Sequence, residues 1–267
     1  MPTSVSISGR TALITGASSG IGAAIAEELA SLGVRLILWA RRKERLDELA
    51  AKLAAAHPSL PPITTACVDV TNAGEVEAAL ASILEPIDIL INNAGLALGK
   101  DPVQALDMAD VQTMIDTNIL ALVRLTRLVV PGMVGRDAGH VLNLSSVAGH
   151  YAYGGGAIYS GSKHFVAAFT HSLREDLVET NVRVTAISPG AVRTEFSLVR
   201  FKGDAAAADA VYAGFEELQA ADCADAAVWA LTRPPHVQVG DVVMWATRQA
   251  TPQVYGRRTI GGGRVCV

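Results

Sequence analysis

The sequence predicts a doubly wound α/β fold, in which helices cover both faces of a mostly parallel sheet of seven strands. Short apolar runs alternate with amphipathic helical stretches along most of the chain, and this alternation is typical of a parallel sheet. A glycine-rich turn joins the first apolar run to the first helix. No internal repeat or change of composition marks a second domain, so residues 1–267 are expected to form a single domain.

The predicted first strand at residues 11–15 leads through the sequence TGASSGIG into a helix with regularly spaced apolar residues. Glycines at 16, 20 and 22 allow the backbone to approach a pyrophosphate closely, and the N-terminus of the helix favours an anion. The spacing is G-x-x-x-G-x-G rather than the commoner G-x-G-x-x-G. A purely structural glycine turn is the alternative interpretation.

The predicted second strand, residues 34–39, is followed by Arg41 and Arg42. At this point, about 20 residues beyond the glycine loop, an acidic residue binds the ribose hydroxyls of NAD, whereas arginine accommodates the 2′-phosphate of NADP. The two arginines therefore predict NADP as the cofactor. The alternative is a solvated basic start to the helix that follows at residues 43–56.

The remaining elements continue the alternation and bring polar residues to the carboxyl ends of strands, where ligands bind in open α/β sheets. Asp69, Asn93 and Tyr159 lie at or near such ends. The further predicted strands are residues 63–68, 87–91, 141–144, 182–187 and 237–245, and the further predicted helices are residues 73–84, 111–133, 157–178 and 222–231.

Two late segments do not fit this regular alternation. Residues 194–217 mix aromatic, aliphatic and basic side chains without a clear strand, which predicts a substrate loop or lid followed by a helix. The glycine-rich residues 257–267 predict a flexible tail.

Asn118 lies among apolar neighbours within the predicted helix 111–133. A buried asparagine needs hydrogen-bond partners, because burying an amide without them is unfavourable. Asn118 is therefore either a structural tie or part of a functional site.

Tyr159 and Lys163 are four residues apart in the predicted helix 157–178, so their side chains lie on one face and can reach one ligand. Of the five tyrosines, Tyr159 alone is followed four residues later by lysine. A nearby cation lowers the pKa of a tyrosine from about 10, which would make Tyr159 an acid or base near neutral pH. By itself the spacing more often reflects a half-buried ring and a solvated charge.

Composition limits the kinds of partner that are expected. Half of the residues are apolar, 18% are charged and the net charge is −4, which gives no electrostatic reason to bind nucleic acid or an anionic membrane. Three cysteines without C-x-x-C spacing predict neither a disulfide framework nor a metal site. The N-terminus lacks the features of a signal peptide, and no apolar stretch approaches the ~20 residues that span a bilayer. A cytoplasmic location is therefore expected.

Five motifs occur in this order along the chain: TGASSGIG, NNAG, the mid-helix asparagine, a Ser-Ser pair and Y-x-x-x-K. On these motifs the sequence resembles the short-chain dehydrogenases/reductases over about residues 9–250. The resemblance implies a Rossmann-type fold and a catalytic tetrad. Ser146 is preferred to Ser145 because the serine of the family stands 13 residues before its tyrosine. The implied tetrad is Asn118, Ser146, Tyr159 and Lys163.

The resemblance also implies a role for each member of the tetrad. Tyr159 would exchange a proton with the substrate oxygen, and Ser146 would form a hydrogen bond with that oxygen. Lys163 would hold the nicotinamide ribose and lower the pKa of the tyrosine. Asn118 would anchor a water molecule that relays protons.

The cofactor residues implied by the same resemblance are distributed along the whole dinucleotide. Tyr159 and Lys163 would lie at the nicotinamide ribose. The pyrophosphate side would be held by Gly16, Ser18, Ser19 and Ile21, the adenine by Asp69 and Val70, the adenosine ribose by Asn93, and the carboxamide by Val192 and Thr194.

Longer phrases, including LILWARRKERLDEL, TEFSLVRFKGD and TRQATP, are similar to the NADP-dependent 3-hydroxy acid dehydrogenases within this family. That group acts on L-allo-threonine, serine and related β-hydroxy acids, oxidises the 3-hydroxyl reversibly, and is typically homotetrameric. The residues after Arg258 depart from the pattern of the group.

A β-hydroxy acid needs a cationic partner for its carboxylate, and a planar bidentate contact favours arginine. The candidates are Arg193, Arg200 and Lys202, each of which is equally explained as ordinary surface charge. Two other hypotheses stay open. One is a broad NADPH-dependent carbonyl or ketone reductase, and the other is a non-catalytic NADP sensor, against which the intact tetrad argues.

Overall fold

A seven-stranded parallel sheet forms the centre of the computed structural model, which describes residues 4–258 and 264–266. The strands of the described residues are β1 (Thr11–Thr15), β2 (Arg35–Ala40), β3 (Thr64–Cys67), β4 (Ile89–Asn92), β5 (Gly139–Leu144), β6 (Val182–Pro189), β7 (Val192–Arg193), β8 (Leu218–Gln219), β9 (Asp241–Met244), β10 (Gly256–Arg258) and β11 (Arg264–Cys266). In the seven-stranded sheet they follow the order β3-β2-β1-β4-β5-β6-β9.

Helices cover both faces of this sheet. The α-helices of the described residues are α1 (Gly20–Ser31), α2 (Lys43–Ala56), α3 (Ala73–Ala81), α4 (Met108–Ile115), α5 (Ala121–Gly135), α6 (Ala157–Asp176), α7 (Phe196–Arg200), α8 (Ala205–Ala210) and α9 (Ala220–Leu231), of which α7 and α8 lie in the segment between β7 and β8.

The two faces of the sheet carry separate apolar cores, because successive residues of a strand point to opposite sides. In β1, Ile14 packs into the core that contains apolar residues of α1, α2 and α9. Its neighbour Leu13 packs into the other core, with apolar residues of α3 and α5. Both cores together confirm the predicted doubly wound fold.

The order of the strands reverses between β1 and β4, and this reversal opens a crevice at their carboxyl ends. The Thr15 hydroxyl donates to the Ile91 carbonyl at 3.3 Å and accepts from the Asn93 N–H at 3.1 Å. Gly22 packs closely against this junction, since a Cβ atom there would lie 2.4 Å from Asn93 Nδ2 and 2.7 Å from the Gly16 carbonyl oxygen. Packing therefore requires a glycine at position 22, whether or not a ligand binds nearby.

The predicted helix 111–133 is longer and less regular than expected. It begins at Met108, ends at Gly135 and contains a π-helical segment, Asp116–Leu120, with Asn118 at its centre. A widened turn of this kind often marks a functional site. Hydrophobic periodicity predicted the helix but did not predict the π-helical segment.

Other boundaries differ by a few residues. The last strand was predicted at 237–245 but covers Asp241–Met244, because Val237 donates its N–H to the Pro234 carbonyl in a turn. The predicted helix 73–84 ends at Ala81, and the helix 157–178 ends at Asp176.

The segment predicted as a substrate loop or lid contains two short helices, α7 and α8. The strands β7 and β8 flank it and pair in parallel, with Val192 opposite Leu218. The segment is therefore anchored at both ends. In the predicted flexible tail, β10 pairs with β11, while residues 259–263 and 267 lie outside the described residues.

The continuous helix from Met108 to Gly135 is also long and apolar enough to cross a bilayer. The sequence predicted this helix but no membrane span, because Arg124 and Arg127 interrupt its apolar runs. About 44% of its most apolar part is buried within the protein, and Arg124 donates to the Thr71 carbonyl at 3.0 Å. Packing on the sheet accounts for the apolar composition of this helix, which is therefore only weak evidence for a membrane span.

We expect Gly22→Ala to lower the melting temperature, because the new methyl group would overlap Asn93 and the Gly16 carbonyl. Overpacking of this kind typically costs about 1–3 kcal/mol. Gly161→Ala is the matched control, since no atom lies within 4 Å of a Cβ at this helical position. Thermal unfolding of both variants should show a loss for Gly22→Ala alone, and equal melting temperatures would contradict the packing argument.

Candidate active site

A cavity of about 380 Å³ lies along the carboxyl ends of the strands, above the crevice between β1 and β4. Its walls hold the glycine turn at one point, the arginines after β2 at another, and the tyrosine and lysine of α6 beyond β5. The predicted site residues that line it are Gly16, Ser18, Ser19, Ile21, Arg41, Arg42, Asp69, Val70, Asn93, Ser146, Tyr159, Lys163, Val192 and Thr194.

The start of α1 presents backbone N–H groups to this cavity. Ser19, the residue before the helix, has an extended backbone and makes no side-chain cap. The first N–H groups of a helix have no partners within the helix, and α1 has no acidic residue in its first turn. This end of the cavity therefore fits an anionic group such as a pyrophosphate.

Arg42 lies at the basic end of the cavity and contacts the glycine turn directly. Its Nη2 donates to the Ser19 hydroxyl at 2.7 Å, and its Nε donates to the Ser18 hydroxyl at 3.2 Å. Arg41 is exposed and lines the same end. Two guanidinium groups beside the phosphate turn are the arrangement expected for a phosphorylated adenosine ribose.

Asp69 and Asn93 are held in place by local hydrogen bonds. The Asp69 carboxylate accepts from the Thr71 N–H at 2.9 Å and from the Thr71 hydroxyl at 2.7 Å. Asn93 Nδ2 donates to the carbonyls of Thr15 and Gly16, at 2.8 and 3.2 Å. The side-chain amide of Asn93 therefore ties the end of β4 to the glycine turn. The side-chain and backbone carbonyl oxygens of Asn93 remain to accept hydrogen bonds from a ligand.

Asn118 is buried beside the catalytic candidates rather than in the cavity wall. Its Nδ2 donates to the Leu96 carbonyl at 2.8 Å and to the Ser162 hydroxyl at 3.0 Å, while its Oδ1 accepts from the Leu96 N–H at 2.9 Å. A Cβ atom on Gly95 would lie 3.3 Å from Asn118 Oδ1 and 3.5 Å from Lys163 Nζ. Asn118 thus links the loop after β4 to α6 next to the lysine.

Tyr159 is 9% exposed, and its ring packs against Phe196 with the ring centroids 5.4 Å apart. Burial raises the pKa of the phenol above its ordinary value, while the neighbouring Ser146 hydroxyl and the Arg200 guanidinium oppose that rise. The phenol therefore carries its proton at neutral pH in this environment.

Lys163 is also buried, and its Nζ donates to the Leu144 carbonyl at 2.7 Å. Burial lowers the pKa of this lysine to about 8. The sequence-based expectation that Lys163 lowers the pKa of Tyr159 differs from the structure, in which burial dominates for both groups. The ammonium lies 5.9 Å from the centroid of the tyrosine ring.

A second cavity, of about 450 Å³, adjoins the first and shares Ser146 and Tyr159 with it. Arg200 lines this second cavity. Its guanidinium lies 5.9 Å from the centroid of the Tyr159 ring, and its Nη1 donates to the Tyr153 hydroxyl at 2.9 Å. A substrate in the second cavity can therefore contact the tyrosine and a cation together.

The other two candidate cations are engaged elsewhere. Arg193 pairs with Glu217 and Asp209, and Lys202 pairs with Asp110 at 2.7 Å. Neither side chain lines the two cavities formed by the described residues. The geometry favours Arg200 among the three candidates.

Sequence reasoning missed several residues of these walls. Phe196 lines both cavities, and Tyr153 and Gln249 line the second. Ser162 is the hydrogen-bond partner of Asn118. No spacing signal marks them, because they reach the site only through the packing of separate loops. Among the described residues, no cluster of three His, Cys, Asp or Glu side chains could hold a metal ion.

The strand order, the glycine turn at the reversal point and the buried Ser-Tyr-Lys cluster between two cavities define a dinucleotide-binding oxidoreductase class. The short chain dehydrogenase family matches residues 10–204. The chain belongs to this family.

Two individual relatives match almost the whole chain. The chain is 46% identical over 242 residues to sulfoacetaldehyde reductase 2 of Chromohalobacter salexigens, with 89% of this chain and 94% of the relative covered. It is 41% identical over 245 residues to an NADP-dependent 3-hydroxy acid dehydrogenase of Schizosaccharomyces pombe, with 91% and 95% covered. Both relatives confirm the predicted family, and the second agrees with NADP as the cofactor.

A solved structure with the same architecture is the closed form of serine dehydrogenase complexed with NADP⁺. It superimposes with a TM-score of 0.87 at 42% sequence identity, covering 93% of this chain and 100% of that one. This similarity confirms the predicted Rossmann-type fold, and the solved relative contains the expected cofactor.

We expect Lys163→Met to raise the melting temperature of the protein without added cofactor at pH 7, because burial of a charged lysine is unfavourable. A pKa lowered to about 8 corresponds to a penalty on the order of 3 kcal/mol for the charged form, reduced by the loss of the bond to Leu144. A net rise of roughly 2–5 °C is expected.

The pH dependence of this difference provides the control. Between the folded pKa near 8 and the unfolded pKa near ~10.4, the unfolded state binds more protons, so wild-type stability rises with pH. The advantage of Lys163→Met should therefore shrink from pH 7 to pH 10. A difference that stays constant with pH would exclude burial of the charge as its cause.

Proposed function

We propose that this protein is an NADP-dependent oxidoreductase that transfers hydride reversibly at carbon 3 of a small 3-hydroxy acid. L-allo-threonine, serine and 3-hydroxyisobutyrate represent the substrate type. The observation that carries the proposal is the position of Arg200, whose guanidinium lines the second cavity beside the Tyr159 ring. A neutral substrate has no use for a cation at that point.

The proposed mechanism assigns the proton to Tyr159. NADP, when bound, supplies the hydride acceptor or donor. In reduction the buried, protonated phenol delivers a proton to the carbonyl oxygen. In oxidation the phenol first gives its own proton to the relay water anchored by Asn118, and the resulting phenolate takes the hydroxyl proton of the substrate. Ser146 forms a hydrogen bond with the same oxygen.

The other two members of the proposed tetrad act by position. Lys163 binds the nicotinamide ribose from α6, and Asn118 fixes the loop after β4 against α6 while it anchors a proton-relaying water. The pyrophosphate is proposed to lie on Gly16, Ser18, Ser19 and Ile21, the adenosine on Arg41, Arg42, Asp69, Val70 and Asn93, and the carboxamide on Val192 and Thr194.

Arg200 suits a carboxylate because a guanidinium can offer two parallel N–H donors. Its Nη1 and Nε contact Tyr153 and the Gly99 carbonyl, which hold the group in one orientation. In a 3-hydroxy acid one carbon separates the carboxylate from the reacting carbon. The tyrosine and the arginine would therefore bind the two ends of a short molecule.

Sulfoacetaldehyde reduction is the second candidate function, favoured by the 46% identity with a sulfoacetaldehyde reductase. Sulfoacetaldehyde also carries an anion one carbon away from the reacting carbon, so the same arginine suits its sulfonate. A broad reductase of neutral ketones is less compatible with a cation beside the tyrosine. A non-catalytic NADP sensor would not need the buried Tyr159 at all.

By resemblance to the 3-hydroxy acid dehydrogenases we also propose a homotetramer and a cytoplasmic location. The measurements that bear on them are the mass in solution and the distribution between cell fractions. The proposed activity does not depend on either.

We expect purified protein to oxidise L-serine, L-allo-threonine and 3-hydroxyisobutyrate with NADP⁺ much faster than with NAD⁺, in initial rates followed at about 340 nm. Isethionate, the alcohol of sulfoacetaldehyde, tests the second candidate in the same assay. Activity confined to neutral alcohols and ketones would replace the 3-hydroxy acids by neutral carbonyl compounds as the substrate class. Tyr159→Phe is the control, because it should remove turnover and leave NADPH binding intact.

We expect Arg200→Met to raise KM for anionic substrates about 10- to 100-fold, since a hydrogen bond to a charged group contributes about 1.5–3 kcal/mol. KM for a neutral secondary alcohol should change little. Arg193→Met is the matched control, because Arg193 pairs with Glu217 outside the cavity. Equal effects of Arg200→Met on acids and neutral alcohols would remove Arg200 from the substrate site.

A further inference from the structure

Glu195 precedes α7, and its carboxylate contacts two arginines at the basic end of the first cavity. Its Oε1 accepts from Arg45 Nη1 at 2.5 Å, and its Oε2 accepts from Arg42 Nη1 at 2.8 Å. The hydrogen bonds from Arg45 and Arg42 hold the pKa of Glu195 at about 2. The side chain therefore carries a negative charge across the physiological pH range.

Arg42 is shared between this carboxylate and the glycine turn. Its Nε and Nη2 donate to the hydroxyls of Ser18 and Ser19, and its Nη1 donates to Glu195. Glu195 also lines the first cavity, next to Thr194. An anion that binds Arg42 from the cavity must therefore share the guanidinium with Glu195 or displace it.

We propose that Glu195 competes with the 2′-phosphate of NADP for Arg42 and so sets the affinity for phosphorylated adenosine. The inference rests on the proposed use of NADP by this site. The phosphate carries a charge of about −1.5 to −2, against one for the carboxylate, so the phosphate wins the shared guanidinium. Arg45 remains as the partner of Glu195 when Arg42 turns to the phosphate.

The placement of Glu195 makes this competition relevant to the substrate site as well. Glu195 lies at the start of α7, and Arg200 is the last residue of the same helix. The carboxylate is thus held at the adenosine side while the arginine is held at the substrate side.

The test is the binding of 2′,5′-ADP and 5′-ADP to Glu195→Gln, measured by titration calorimetry. The variant keeps the side-chain size at an exposed position, where Glu195 is 39% accessible, and a melting curve verifies its fold. Because interactions of exposed charges are modest, 2′,5′-ADP should bind about two- to fivefold more tightly than to wild type. Binding of 5′-ADP should not change.

Two variants separate this effect from others. Asp47→Asn removes a carboxylate from α2 that pairs with Lys43 at 2.5 Å, and it should leave the ratio of the two affinities unchanged. In an Arg42→Met background, Glu195→Gln should have no further effect, because the shared guanidinium is gone.

The outcomes distinguish the inference from the proposed function. Unchanged or weaker binding of 2′,5′-ADP to Glu195→Gln, or a gain that persists in the Arg42→Met background, would overturn the competition. Equal affinities of the wild type for 2′,5′-ADP and 5′-ADP would instead overturn the proposed preference for NADP. If the wild type prefers 2′,5′-ADP and Glu195→Gln has no effect on binding, the competition is rejected and the proposed use of NADP stands.

Discussion

The close contact between the glycine turn and Asn93 is the constraint on which the site depends. Gly22 and Gly16 pack together with no room for side chains, and Asn93 ties both β1 and the turn to β4 through two carbonyls. This junction lies where the strand order reverses. It brings the N-terminus of α1 over the crevice, so the phosphate end and the catalytic end share one cavity.

Buried polar groups hold the catalytic end in position. Asn92 Nδ2 donates to Thr126 and to Asn143, and Asn143 Nδ2 donates to Thr170, each at 2.9 Å. These bonds join β4, β5, α5 and α6 inside the protein. Because satisfied polar networks specify one arrangement of a core, they fix α6 relative to β5, and with it Tyr159 relative to Ser146.

The burial of Tyr159 and Lys163 opposes stability and serves the proposed chemistry. Burial is the largest cause that raises the pKa of the tyrosine, and it lowers the pKa of the lysine, so both groups are moved toward their neutral forms. A fold selected only for stability would place apolar residues there. The segment from β7 to β8 completes the site, because Glu195 reaches the adenosine side and Arg200 reaches the tyrosine from one short helix.

The sequence by itself determined the fold class, the positions of the main strands and helices and most of the first cavity, because apolar periodicity and the glycine turn are local signals. It left three cations open for the substrate. Only the tertiary structure favours Arg200 among them, since ion pairs with Glu217 and Asp110 engage Arg193 and Lys202. The π-helical turn at Asn118, the contact of Glu195 with Arg42 and the burial that controls both pKa values depend on residues far apart in the chain. Sequence spacing cannot encode such contacts, because desolvation and pairing are decided by what packs around a side chain.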